Sequence, residues 1–122
     1  MTIDHIYKDM RGSISILKGF NKTSEITIFR TKAGFARGGC IHNIHDEHSC
    51  VIEGMAHYVI GDENVFLTDG GSVKIPKKTP HYFLAITDCV VLEWGAILEE
   101  KQEKHPEFRK KVDEINKKKE QG

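Results

Sequence analysis

Tryptophan and proline are scarce in this chain, with one and three residues, and cysteine is limited to Cys40, Cys50 and Cys89. So odd and sparse a cysteine set argues against a disulfide framework and for reduced thiols. Neither sign of charge is in excess. Eighteen basic and eighteen acidic residues cancel, which removes the global field expected of a nucleic-acid or membrane-surface binder. No apolar run approaches the ~20 residues of a membrane span, and the opening MTIDHIYKDM lacks an apolar signal core. These absences predict a cytoplasmic protein with no nucleic acid and no membrane among its partners. The 122 residues are 39% hydrophobic and 30% charged, and read as one domain, residues 1–122, long enough to bury a core.

Short alternating segments dominate the pattern. Residues 12–18 (GSISILK), 25–30 (EITIFR), 49–53, 55–60, 65–68, 72–75, 81–86 and 89–94 read as strands. Turns separate them at Gly54, at Gly61-Asp62-Glu63-Asn64 and at Asp69-Gly70-Gly71. Gly34, Gly38 and Gly39 mark residues 31–39 as turns or close backbone approach rather than a strand interior. Strands at this spacing predict an all-β sandwich or barrel, here over about residues 12–98. The tail departs from it. Phe108, Val112 and Ile115 form one apolar stripe in a polar stretch, with Pro106 near its start. This predicts an amphipathic helix over about residues 103–119, docked on the barrel or on a partner subunit.

The run from Arg37 to Gly54, RGGCIHNIHDEHSCVIEG, holds three of the chain's seven histidines and two of its three cysteines. Strand alternation lets Cys40 and His42 point together into an interior. Glu47 follows after a short turn, on the same face as Ser49 and Val51, and His81 enters from a later strand behind Pro76 and Pro80. Thiolate, carboxylate and two imidazoles suit a divalent transition metal, zinc or iron, with nickel or manganese as further choices; they suit calcium and magnesium poorly. The alternative to Cys40 in this set is His45 or His48, although both read more simply as exposed turn residues. Cys50 and Cys89 read as core.

These residues also carry a resemblance to the cupins, small double-stranded β-helix (jelly-roll) proteins of the kind found in dTDP-sugar epimerases and isomerases. The first cupin motif runs Gly, five residues, His-x-His, three or four residues, Glu, six residues, Gly. The chain offers Gly34, Cys40-Ile41-His42, Glu47 and Gly54 at that spacing. The second motif is similar to Gly70, Pro76-Lys77-Lys78, Thr79-Pro80 and His81, with Lys78 in a glycine slot and Ala85 in an asparagine slot. The resemblance covers residues 24–96. It implies a jelly-roll barrel that pairs into a homodimer through a sheet, with residues 12–18 as the strand for exchange. It also resembles the Arg-Gly-x-His stretch of sugar-nucleotide epimerases, in which Arg37 would help hold nucleotide phosphates and Cys40 would stand where the catalytic histidine is found. A thiol is a poorer acid or base than imidazole near neutral pH. The chain is therefore more similar to the metal-binding small cupins of nucleotide-sugar pathways.

Candidates for proton transfer are Glu93, a carboxylate in an apolar strand that is either functional or turned to solvent, and Tyr58 and Tyr82, although strand aromatics are more often core or interface residues. The expected function is a metal-dependent isomerase or epimerase acting on a small carbohydrate-derived ligand, a sugar or nucleotide-sugar. The alternatives are a ferrous dioxygenase, a non-catalytic metal- or sugar-binding module, and a metal-free barrel.

Overall fold

In the computed structural model, which describes residues 1–19, 25–96 and 102–122, alternation of buried and exposed side chains sets the architecture. Eleven strands precede one helix among the described residues: β1 (Thr2–Asp9), β2 (Gly12–Lys18), β3 (Ile26–Thr31), β4 (Ala36–His42), β5 (Glu47–Glu53), β6 (Ala56–Ile60), β7 (Glu63–Leu67), β8 (Ser72–Ile75), β9 (His81–Ala85), β10 (Cys89–Trp94), β11 (Gln102–Lys104) and α1 (Pro106–Gln121). They form a six-stranded sheet in the order β1-β2-β3-β10-β5-β8 and a five-stranded sheet in the order β11-β4-β9-β6-β7, with every pairing antiparallel. Alternating residues of the two inner faces make the core, including Val51 and Val91 from one sheet and Tyr58, Phe83 and Ala85 from the other. This is the expected all-β jelly roll followed by a C-terminal helix.

Several expectations are corrected. Strand β1 precedes the predicted start at residue 12 and pairs along β2. Its side chains are almost all exposed, so it has no clean period-two pattern to read. The same pairing makes residues 12–18 an interior strand, and β1 is the edge of that sheet. Residues 36–39 lie within β4, but the predicted close approach is real: a Cβ on Gly38 would sit 2.9 Å from the Tyr82 Cα. The expected barrel end at residue 98 lies outside the described residues. Cys89 is core, whereas Cys50 is half-buried on the outer face of β5, beside Leu92.

Helix α1 begins at Pro106, at a position where the missing N–H costs nothing, and His105 caps it by accepting a hydrogen bond from the Phe108 N–H. Its stripe faces the barrel: Val112 is fully buried, and Phe108 meets Tyr82 edge-on at 5.2 Å. The helix also satisfies the open edge of β4. Asn116 accepts from the Ala36 N–H at 2.7 Å and donates to the Ala36 carbonyl at 3.0 Å. Arg109 donates to the Gly38 carbonyl, and the His105 N–H to that of Gly39, both at 2.9 Å. An otherwise bare strand edge is covered. No helix is long and apolar enough to cross a membrane among the described residues.

Candidate metal centre

Strand β4 carries both Arg37 and Cys40 on its inner face, although an odd separation should put them on opposite faces. The register explains this. Arg37 pairs with Phe83 and Cys40 with His81, with a bulge between Gly38 and Cys40. Gly38 and Gly39 take φ values of +108° and +89°, which only glycine adopts without strain. One inserted residue thus turns the chain over and keeps both side chains inside.

Cys40, His42 and His81 bring their donor atoms within 4.8 Å of one another. Glu47 completes the group, its Oε1 lying 3.0 Å from His42 Nε2 and 3.1 Å from His81 Nε2. All four line one cavity of about 440 Å³. The loop before β9 sets His81 in place. Lys78, in the motif's glycine slot, keeps the left-handed backbone at φ +65° and donates its N–H to the His42 carbonyl at 2.7 Å. The Thr79 carbonyl then lies 3.1 Å from His81 Nδ1. That contact assigns a proton to Nδ1 and makes Nε2 the nitrogen that faces the cluster.

The donors approach closely without satisfying one another. Glu47 Oε1 has no aligned hydrogen bond despite its two imidazole neighbours, and His42 Nδ1 is buried without a partner. Buried polar atoms are rarely left so. Atoms that converge on a common point rather than on each other fit a cation between them, and the donor set of one sulfur, two nitrogens and a carboxylate fits zinc or ferrous iron. Without a cation the four side chains act directly on one another's charge. Burial would raise the Cys40 thiol, but the two imidazoles outweigh it and bring it down to about 7. Burial likewise would raise Glu47, and the same imidazoles hold it near 2. Burial would lower His42 and His81, but Cys40 and Glu47 raise them to about 10 and 11.

Glu93 faces inward beside this cluster, not toward solvent. Burial, followed by the Glu47 charge, raises its carboxyl well above the usual carboxylate range. Ser49 donates to Glu93 Oε2 at 3.4 Å, and Tyr58 Oη lies 2.6 Å from Ser49 Oγ. Ser49 has one proton and gives it to Glu93, so Tyr58 is the donor to Ser49. Burial and then the Glu93 charge raise the Tyr58 hydroxyl, which keeps that proton in place. Tyr58 therefore reaches the site only through Ser49. Ser49 was missed as a functional candidate, although sharing a face with Glu47 was its signal.

Tyr82 is set apart from the cavity: it neighbours the inward His81, so the pleat turns it outward against Phe108. Arg37 lines the cavity and is 3% exposed, with burial lowering it to about 10. His45 is exposed. His48 is not a turn residue but an outer-face residue of β5, stacked on Trp94 at 5.6 Å. His57 is also outside, bonded to Asn64 and stacked on Phe66. Arg11, Gln102, Lys104 and Arg109 also line the cavity; no motif marks them, since the fold alone brings them there.

No protein-family model matches the sequence, and no curated protein matches it. Solved structures do match in shape. The capsular polysaccharide assembling protein CapF from Staphylococcus aureus superposes with a TM-score of 0.71 at 17% identity, over 84% of this chain and 32% of CapF. KdgF from Halomonas sp. gives 0.68 at 18% identity, over 79% of this chain and 88% of KdgF. Salicylate 1,2-dioxygenase from Pseudaminobacter salicylatoxidans gives 0.55 at 20% identity, over 60% of this chain and 21% of the dioxygenase. The chain thus spans about a third of CapF and a fifth of the dioxygenase, but most of KdgF. With two facing antiparallel sheets and these structural neighbours, the chain has the jelly-roll fold expected from its resemblance to the cupins.

Proposed function

We propose that this protein binds one divalent transition metal through Cys40, His42, Glu47 and His81 and acts on a small polar, carbohydrate-derived ligand in the barrel as an isomerase or epimerase. The observation that carries the metal reading is the close but unaligned convergence of Glu47 Oε1 on two imidazole nitrogens. When bound, such an ion supplies Lewis acidity to a ligand oxygen and makes a neighbouring C–H more acidic. The chain's own residues supply the rest. Glu93, at the cavity wall, would take the proton released from that carbon and return it, while Ser49 fixes its orientation by donating to Oε2 and Tyr58 holds Ser49. The apolar walls at Ile14, Ile16 and Phe83 restrict water around the reacting atoms. CapF, a capsular polysaccharide assembling protein of the same fold, is in keeping with a carbohydrate ligand.

Elemental analysis of protein purified without chelators tests the metal, and less than about a tenth of an equivalent of any transition metal sinks it. Solvent-deuterium wash-in next to the carbonyl of aldoses and ketoses, followed by NMR, tests the reaction. No exchange with the metal bound sinks the isomerase reading, and oxygen consumption by the ferrous form would replace it with the dioxygenase one.

We further propose a homodimer through the outer face of the six-stranded sheet. Ile3, Leu17, Ile26, Ile28, Leu92 and Trp94 are in register across neighbouring strands, on the face opposite the inward Thr27, Phe29 and Glu93. The patch crosses four adjacent strands, about 14 Å between the outer two at ~4.8 Å per spacing, and would form the centre of an interface of about 800 Å² per partner.

A further inference from the structure

Arg37 is a built but unfinished binding group. Its Nε donates to Thr31 Oγ1 at 2.8 Å and its Nη2 to the Arg30 carbonyl at 3.2 Å, while its guanidinium lies 5.6 Å from the centre of the Phe29 ring. Three contacts fix the group in one orientation. Its Nη1, buried in the same residue that lines the cavity, has no partner. A buried guanidinium with an unused donor is costly unless something fills it. The nearest other cation, Arg11, is already paired with Asp9 at 2.9 Å. The wall around Arg37 therefore carries one unused cationic donor.

The strand register gives the distance between this charge and the metal centre. Glu93, beside the cluster, pairs with Thr27. The guanidinium sits at the level of Phe29 and Thr31, two to four residues further along β3, roughly 7–13 Å away at ~3.3 Å per residue. Between the two ends the wall is apolar, with Ile14, Ile16, Phe29 and Phe83.

We propose that the cavity takes a small carbohydrate-derived acid, with a carboxylate on Arg37 Nη1, the apolar face of its carbon chain along Phe29 and its neighbours, and an oxygen function at the Cys40–His42–Glu47–His81 cluster. Only the oxygen end rests on the metal reading. A carboxylate fits better than a phosphoryl dianion, because Nη1 is the one buried free donor: of the other cations lining the cavity, Arg11 and Arg109 are paired with Asp9 and Asp113, and Lys104 is exposed. This differs from the phosphate-holding role that the sequence resemblance implies for Arg37.

Calorimetric titration with matched six-carbon probes tests both ends. In metal-free protein, hexanoate is expected to bind about ten- to hundred-fold tighter than hexanol, as a charge-assisted contact to Arg37 requires. Arg37→Met should bring hexanoate down to the level of hexanol while hexanol itself is unchanged. Equal binding of the two probes by the unaltered protein overturns the anion seat without any variant having to fold. Tighter binding of hexyl phosphate than of hexanoate overturns the carboxylate assignment. In zinc-loaded protein, 6-hydroxyhexanoate should bind about ten-fold tighter than in metal-free protein, whereas hexanoate should not change. Equal gains for both overturn the two-ended ligand. If zinc does not bind, the metal reading fails, and the metal-free comparison still decides the Arg37 seat.

Discussion

Gly39→Ala tests whether the bulge in β4 is also the seat of the helix. Gly39 has φ +89°, and a Cβ there would lie 2.8 Å from the Arg109 Cα, 2.9 Å from its N and 3.2 Å from the Phe108 carbonyl carbon. These are backbone atoms of the first helical turn, so no rotamer change relieves the clash. Gly70 is the matched control, with φ +82° and nothing within 4 Å of its Cβ. Both substitutions bear the left-handed strain of about 1–2 kcal/mol. Only Gly39→Ala adds overpacking, worth about 1–3 kcal/mol. For a chain of this length the unfolding entropy is about 0.25 kcal/mol per degree. Gly70→Ala should therefore lower Tm by roughly 4–8 °C and Gly39→Ala by roughly 8–20 °C, read by circular dichroism in chelator. Equal losses would mean that the helix does not bear on the bulge, and the packing account of β4 would be wrong.

Other outcomes follow from the same structure. Cys40→Ser should remove the sulfur-to-metal charge-transfer band of cobalt-loaded protein and weaken cobalt binding by at least about ten-fold; an unchanged band would show that Cys40 is not a ligand. Leu92→Lys, on the outer sheet face, should leave monomers by light scattering where the unaltered protein gives dimers, and a dimer that survives it places the interface elsewhere. Burial raises the Cys89 thiol to about 11 from an ordinary 9.0. Between those values the unfolded chain loses its proton first, so stability is complete below pH 9 and falls as pH rises toward 11, by up to about 3 kcal/mol. Cys89→Ala should flatten that alkaline fall in urea unfolding, and an identical fall in the variant would exclude Cys89 as its source.

Much of the site was legible because it depends on spacing. Cys40, His42, Glu47 and His81 follow from alternation plus two motif lengths, and the fold brings all four together. Alternation applied once more would have excluded Tyr82, since a strand cannot turn both His81 and its neighbour inward. Arg37 is the opposite case. Simple counting from Cys40 turns it outward, and only the Gly38-Gly39 bulge brings it back. The pair of glycines signalled an irregularity but not its direction. Strand β1 was illegible because it hides neither face, so burial left no imprint on its sequence. Ser49 carried a signal of position but none of role, because its role lies in a contact with Glu93, forty-four positions away.

That contact sets a direction for the buried polar chain, and Tyr58→Phe tests it. Tyr58 is 1% exposed and packs among core residues, so the substitution keeps the ring and removes only the hydroxyl. Ser49 Oγ then loses its donor but still gives its own proton to Glu93. The expected cost is one buried hydrogen bond, about 1 kcal/mol, with metal content unchanged because no proposed ligand touches Tyr58. Ser49→Ala differs: it removes the donor to Glu93 and leaves the Tyr58 hydroxyl buried without an acceptor, costing about 1–3 kcal/mol. If the chain orients Glu93 for proton transfer, Ser49→Ala lowers kcat for deuterium wash-in by more than Tyr58→Phe does, and shifts its pH profile. Equal effects on rate, or effects on stability alone, would reduce the Tyr58–Ser49–Glu93 chain to core packing.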